Sequence, residues 1–256
     1  MTAENTLIKA IIEREVTAST NKDARLYIAD AKEPVPTPAL FIAREQTEGR
    51  GRLGRSFYSP ASSGLYASLL FKAPSDVPRL LRLTSLAAVA ALCEIKQRFG
   101  IELDIKWVND LYLGQKKVAG ILAESFSHDG TLYIVLGIGI NLSTELFPDE
   151  LMLKAGSLGL CEMSDAERCE LALGIFCRLL DYLSRESVAD IMELYRSRSC
   201  VIGKKISFWQ GERQIFATAL DVTDAGALLV RIEDTGEQTI LSSGEISIFL
   251  QDLSNK

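Results

Sequence analysis

Between residues 48 and 55 the chain reads Glu-Gly-Arg-Gly-Arg-Leu-Gly-Arg, so Arg50, Arg52 and Arg55 alternate with Gly49, Gly51 and Gly54. Glycine lets a backbone close on a ligand and exposes its amide hydrogens, while each guanidinium can fork onto a carboxylate or a phosphate. Together they suit a polyphosphate. A solvated basic loop, or one that touches RNA, has the same composition. The segment is not a Walker A loop, because no Gly-Lys-Ser or Gly-Lys-Thr follows it.

A second group is Ile105-Lys106-Trp107-Val108-Asn109-Asp110. Read as one extended segment, it puts Lys106, Val108 and Asp110 on one face and Ile105 and Trp107 on the other. A lysine among large apolar residues is partly desolvated; it either pairs with a carboxylate such as Asp110 or aims its charge at an anionic ligand. Ser19-Thr20-Asn21 offers three short donor and acceptor side chains, or an ordinary helix cap. Gly137 and Gly139 interrupt an apolar strand that ends at Asn141, which points to a bulge or to close approach of a ligand. His128 is the only histidine and reads as an exposed turn residue beside Asp129-Gly130. Zinc sites rich in histidine, and schemes needing a Ser-His pair plus further histidines, are thereby excluded.

The elements that must position these groups belong to a soluble globular chain of 256 residues, 47% hydrophobic and 24% charged, which is enough for one or two domains with a real core. A net charge of −6 speaks against a mainly nucleic-acid-binding protein. Cys93, Cys161, Cys169, Cys177 and Cys200 are odd in number and form no CxxC, so neither a disulfide framework nor a zinc ribbon is indicated. The start lacks a basic region followed by an apolar one, and the apolar region around Leu83 to Cys93 is too short to span a bilayer. A reducing, cytoplasmic setting is expected.

Apolar runs predict strands over 8–16, 39–44 and 65–71, with a long functional loop over 45–64. Helical spacing over 80–99 predicts a core helix with Asp76 as cap and Gly100 as stop. Strands at 102–108, 111–113, 117–124 and 132–141 follow, with hairpin signals at Gly114-Gln115 and Asp129-Gly130. Ser164-Asp165-Ala166-Glu167 is a capping box that opens a helix to about Arg185, and Ser187 with Asp190 opens another to about Ser197. The result is a mostly antiparallel sheet with helices on one face. Five short segments at 205–209, 215–222, 228–232, 238–241 and 246–250 read as a small barrel-like β module docked on the rest.

Ser19-Thr20-Asn21, the Gly-Arg loop with Ser59-Pro60 behind it, Lys106 to Asp110, Lys117 to Glu124 and Gly137 to Asn141 occur in the order and spacing of the biotin protein ligases. The chain resembles that family over nearly its whole length. The resemblance implies an α+β fold, with a class II synthetase-like catalytic domain over 1–200 that holds a mixed, mostly antiparallel sheet, and a small SH3-like β-barrel over 201–256. It implies activation of biotin by ATP and Mg²⁺ to biotinyl-5′-AMP, then transfer of biotin to one lysine of the biotin carboxyl carrier domain of a biotin-dependent carboxylase. By position, Ser19, Thr20, Asn21, Gln46, Gly49, Arg50, Gly51, Arg52 and Lys106 would bind biotin. Arg52, Arg55, Phe57, Lys106, Asn109 and Asn141 would bind the nucleotide, and Lys106, Arg50 and Arg52 would be the catalytic groups, with metal ligands unassigned.

Three positions depart from the family pattern. Val108 stands for the proline of Lys-Trp-Pro-Asn-Asp, Phe57 for an aromatic that is often Trp, and Phe249 where some members carry Arg. Some relatives begin with a winged helix-turn-helix. This chain reaches Ser19 too soon for one, so a single-function ligase without specific nucleic-acid or membrane partners is expected, with a homodimer left open. The alternatives are a lipoate ligase of related fold and a non-catalytic biotin sensor. The double-Arg loop and Lys-Trp-x-Asn-Asp favour biotin, and an intact Arg loop with Lys106 favours catalysis.

Overall fold

A computed structural model describes residues 7–74 and 80–248. Seven strands form one sheet in the order β1-β2-β3-β7-β6-β5-β4. They are β1 Ala10–Thr17, β2 Ala39–Gln46, β3 Gly64–Lys72, β4 Asp104–Lys106, β5 Asp110–Leu113, β6 Lys116–His128 and β7 Thr131–Asn141. Only β1 and β2 run parallel; the other neighbours are antiparallel. The hairpin signals are met. Leu113 pairs with Lys116 around Gly114, and His128 pairs with Thr131 around Asp129 and Gly130, which both take positive φ.

Helices cover both faces of the sheet, not one. The first five residues of β2 and all but the last of β3 are buried, so each face needs its own apolar cover. On one side α1, Thr20–Ala29, sets Ala24 and Ile28 against Phe41, Leu70 and Val135. On the other, α2 Leu83–Phe99, α3 Asp165–Ser184 and α4 Ala189–Ser197 pack over Leu40, Ile42, Leu69, Leu136 and Ile138. Gly100 ends α2 in the left-handed conformation at φ +69°. The Asp76 cap lies outside the described residues. α3 starts on the reciprocal Ser164 and Glu167 capping box.

Residues 105–110 are not one extended segment. β4 stops at Lys106, the chain reverses over Trp107 to Asn109, and β5 returns with Asp110 opposite Lys106. Val108 therefore does not share a strand face with them; it is buried in the turn, and the Trp107–Val108 peptide is cis. Core burial of Trp107 and Val108 outweighs the period-two pattern.

The C-terminal segments form a second, antiparallel sheet in the order β11-β10-β9-β8-β12. Its strands are β8 Lys205–Gln210, β9 Arg213–Val222, β10 Leu228–Ile232, β11 Gln238–Leu241 and β12 Ile246–Ile248. Residues 249 and 250 of the last expected strand, Phe249 included, lie outside the described residues. Ile206, Phe208, Ala217, Leu228 and Val230 join the same core as α2 to α4. The Trp107 Nε1–H donates to the Gly226 carbonyl at 2.9 Å across that interface, and Arg196 donates to the Val222 carbonyl at 3.1 Å. Among the described residues no helix is long and apolar enough to cross a membrane.

Trp107→Phe keeps a ring in place but strands the buried Gly226 carbonyl. Urea unfolding is expected to report a loss of about 1–3 kcal/mol, the cost of one unsatisfied buried polar group; unchanged stability would show that the interface does not rely on this bond.

Candidate active site

The α1 side of the large sheet carries a cleft with about 960 Å³ of open space. Its walls are the start of α1, the 46–57 loop, the β4–β5 turn, the middle of β6 and β7, and Gly244 to Ile246 of the C-terminal sheet.

One end is a buried polar cluster. The Thr20 backbone N–H donates to Gln46 Oε1 at 2.9 Å, and Gln46 Nε2 donates to Ser59 Oγ at 3.1 Å. Thr20 Oγ1 lies 2.6 Å from Ser68 Oγ, which donates to Asn21 Oδ1 at 2.6 Å, and Asn21 Nδ2 donates to Glu124 Oε2 at 2.8 Å. Ser19, Thr20 and Asn21 thus are the start of a helix and cleft walls at once. Ser19 makes no side-chain cap bond, so its hydroxyl is not used on its own helix.

The glycines of β6 and β7 serve neighbouring side chains. β7 pairs without slip on both sides, so of the two readings, a bulge or a close approach, the bulge is absent. A Cβ on Gly137 would meet Asn21 Oδ1 at 2.3 Å, and one on Gly139 would meet the Phe57 ring at 2.5 Å. A flat trough lets Asn21 and Phe57 settle against the strands.

The rest of the cleft is cationic. Arg50 adjoins the polar cluster, its Nη1 3.8 Å from Oε1 of the Glu124 that Asn21 also meets, and Arg52 donates to Asn109 Oδ1 at 3.3 Å. Asn109 itself is fixed by its Nδ2 bond to the Ile121 carbonyl at 2.6 Å. Arg55 forks onto Glu245 of the C-terminal sheet, with one arm at 2.6 Å. Lys117 pairs with Asp110 at 2.7 Å, so Asp110 serves Lys117 and not Lys106. Among the described residues Lys106 has no carboxylate partner; its Nζ sits 5.8 Å from the centre of the Tyr112 ring. Burial, and then the charge of Asp110, push the Tyr112 phenol well above its usual range, which keeps it neutral.

The loop that carries the arginines is tied at its base. The Glu48 and Thr47 amides bond to the Ala18 and Thr17 carbonyls, the Phe57 amide bonds to Gly49, and Tyr66 Oη donates to the Pro60 carbonyl at 2.9 Å. Burial raises the Tyr66 pKa to about 12, so it remains a donor. The tip holds only an Arg50 to Ser56 bridge and a 3₁₀ turn at Arg52–Gly54, with Leu53 76% exposed.

Most of the residues singled out from sequence meet in this cleft, but Gly49 and Asn141 are not among its lining residues. A Cβ on Gly49 would strike the Phe57 carbonyl at 2.3 Å, so this glycine closes the loop base. Asn141 is buried and donates to the Gly156 carbonyl at 2.9 Å. Sequence reasoning missed Ser68, Lys117, Glu124 and Glu245 as parts of the site. No three metal-ligating side chains cluster among the described residues.

The family described as biotin/lipoate A/B protein ligase matches residues 14–141, and the biotin protein ligase C terminal domain matches 201–248. The chain is 32% identical over 231 residues to the bifunctional ligase/repressor BirA of Bacillus spizizenii, covering 88% of this chain and 70% of that protein. It is 31% identical over 208 residues to the biotin--[acetyl-CoA-carboxylase] ligase of Paracoccus denitrificans, covering 75% and 84%. The biotin protein ligase of Aquifex aeolicus in complex with biotin and ATP superposes with a TM-score of 0.76 at 27% identity, covering 94% of this chain and 99% of that one.

The two trough glycines differ in what a methyl would displace. Gly137→Ala pushes on an Asn21 held from both sides, and is expected to lower stability by about 1–3 kcal/mol in urea unfolding. Gly139→Ala pushes on a ring at the end of a loop and is expected to cost less than about 1 kcal/mol. The reverse ranking would show that Asn21 is not the fixed neighbour.

Proposed function

The chain belongs to the biotin/lipoate A/B protein ligase family, and we propose that it is a biotin protein ligase, which makes biotinyl-5′-AMP from biotin and ATP and passes biotin to a lysine of a carboxyl carrier domain. The observation that carries this reading is the polarity of the cleft. One part holds fixed, mixed donors and acceptors with Arg50 beside it on the shared Glu124 carboxylate; Arg52, Arg55, Lys106 and Lys117 line the rest, and among the described residues neither Lys106 nor Arg52 has a carboxylate partner.

Ser19, Thr20, Asn21 and Gln46 take the ureido head, whose oxygen and two N–H groups need both kinds of partner. Arg50, Gly51 and Arg52 fold over the valeryl chain and the phosphates, with Gly49 closing the base of their loop. In the first step a carboxylate oxygen of biotin attacks the α-phosphorus, and the bond from that phosphorus to the β-phosphate bridge oxygen breaks, releasing pyrophosphate. Two anions meet there. Lys106, between the carboxylate and the α-phosphate, and Arg52 offset the repulsion and hold the charge that builds up. Arg55 turns from Glu245 to the nucleotide, while Phe57 and Asn109 line its pocket and Asn141 shapes that pocket from behind. In the second step the carrier amine attacks the acyl carbon and AMP leaves; loop 48–56 keeps water from doing the same.

ATP brings Mg²⁺ on its phosphates, where the ion supplies charge neutralisation when bound. The carboxylates of the cleft wall, Asp110 and Glu245, already face Lys117 and Arg55, which fits an ion held mainly by phosphate oxygens. In the same reading residues 1–200 are the catalytic domain and 201–256 the smaller one, and the enzyme works in the cytoplasm without a specific nucleic-acid partner.

Transfer of labelled biotin to a carrier domain with ATP tests the reading; label transferred from lipoate in place of biotin would overturn it. Lys106→Ala is expected to slow adenylate formation roughly a hundredfold or more, the scale for losing one preorganised charge. Lys106→Arg should restore little, since a planar fork does not replace a compact ammonium. Transfer from supplied biotinyl-5′-AMP should suffer less, because attack at phosphorus is complete. Pre-steady-state adenylation beside transfer from added adenylate measures both, and a folded Lys106→Ala protein that adenylates at the wild-type rate removes the role.

A further inference from the structure

Ser68 lies on β3, fully buried beneath the polar end of the cleft and touching no space within it. Its neighbours fix the direction of every hydrogen bond around it. The Glu124 carboxylate accepts, so the atom of Asn21 at 2.8 Å from it is Nδ2, and the atom facing Ser68 is Oδ1. Asn21 Oδ1 has no hydrogen to give, so the Ser68 hydroxyl donates to it across 2.6 Å. The 2.6 Å contact between Thr20 Oγ1 and Ser68 Oγ then needs the hydrogen of Thr20, because two oxygens that close without one repel. The longer Thr20 to Gln46 approach, 3.2 Å, is the weaker claim on that hydrogen.

Gln46 is oriented in the same way. The Thr20 backbone N–H can only donate, so it faces Oε1, and Nε2 turns to Ser59, whose own hydrogen goes to the Phe57 carbonyl. The cluster therefore meets a ligand with Thr20 Oγ1 as an acceptor, flanked by one remaining N–H each on Asn21 Nδ2 and Gln46 Nε2.

We infer that Ser68 is a positioning residue that sets this polarity. By taking the hydrogen of Thr20 it makes the hydroxyl an acceptor, and so selects a head group with an N–H beside a carbonyl-type acceptor, as in a neutral cyclic urea. The inference rests on the biotin reading of the cleft and names the residue that gives the cleft its sense of direction. Without Ser68 the Thr20 hydrogen loses its shortest acceptor and is free to turn toward the ligand, where it meets the ligand N–H donor to donor.

The test is a double-mutant cycle on the full chain, with KM for biotin and kcat read from biotin-dependent pyrophosphate exchange and folding followed by thermal melting. Ser68→Ala is expected to raise KM roughly tenfold or more, on the scale of one buried polar bond, with kcat within about threefold. Thr20→Val is expected to raise KM as well. If Ser68 acts through Thr20, the double variant is no worse than Thr20→Val alone; KM effects that multiply overturn the inference, because a merely structural loss would add in both backgrounds.

Should Ser68→Ala not fold, Ser68→Cys takes its place in the same cycle, since a thiol fills the space but is a weak acceptor. A rise in KM that vanishes in the Thr20→Val background is expected; a rise by the same factor in both backgrounds overturns the inference. Wild-type protein with no biotin-dependent exchange overturns the ligase reading and this inference with it. An active wild type with multiplying variants overturns this inference alone.

Discussion

Five cationic side chains facing one cleft repel one another, and much of the local structure exists to hold them there. Each is met from a different part of the chain: Arg50 by Glu124 on β6, Arg52 by Asn109 in the β4–β5 turn, Arg55 by Glu245 in the C-terminal sheet and Lys117 by Asp110 on β5. Lys106 lacks a carboxylate among the described residues and instead faces an aromatic ring. Pairs this exposed add little to stability in water. Their effect is local, since each fixes the place of a cation on the cleft wall while leaving it partly exposed.

That arrangement explains why the second sheet is part of the site. Glu245 reaches Arg55 across 190 residues of chain, and it can do so because Trp107 and Arg196 tie the same sheet to the β4–β5 turn and α4. The buried bond from Trp107 is the stiff member, and the exposed Arg55 fork is the one that can open. A rigid seam beside a releasable contact lets the cleft mouth change without loosening the docking of the second sheet.

The sequence was most legible where a local rule decides the structure. Gly100, the Ser164 capping box and the two hairpins at Gly114 and Gly130 are such places, and so is the Gly-Arg loop. It was misleading where burial overrides pattern. Ile105 to Asp110 alternates like a strand, yet core contacts of Trp107 and Val108 fold it into a turn. Helix α1 showed only at its start, where Ser19-Thr20-Asn21 reads as a helix cap, because Ala24 and Ile28 are a thin apolar stripe behind that triplet. Within the site, Ser68 reads as one small polar residue in an apolar strand, and Glu245 is too far along the chain for spacing to connect it with Arg55. Asn141 and Gly49 carry the right residue types, but both serve the backbone around the cleft.

The seven-stranded sheet has two open edges, and unpaired strand edges invite other chains to add to them. β1 answers with Glu13, Arg14 and Glu15 in its exposed stretch. β4 is only three residues long, and the chain leaving α4 runs parallel beside it: the Ile105 amide bonds to the Arg198 carbonyl at 2.7 Å, and the Cys200 amide to the Ile105 carbonyl at 2.9 Å. This bridge closes the edge at the residue before Lys106. Protection of a vulnerable edge and placement of Lys106 rest here on the same two hydrogen bonds, so loosening that contact would expose an unpaired strand and shift the cleft wall together.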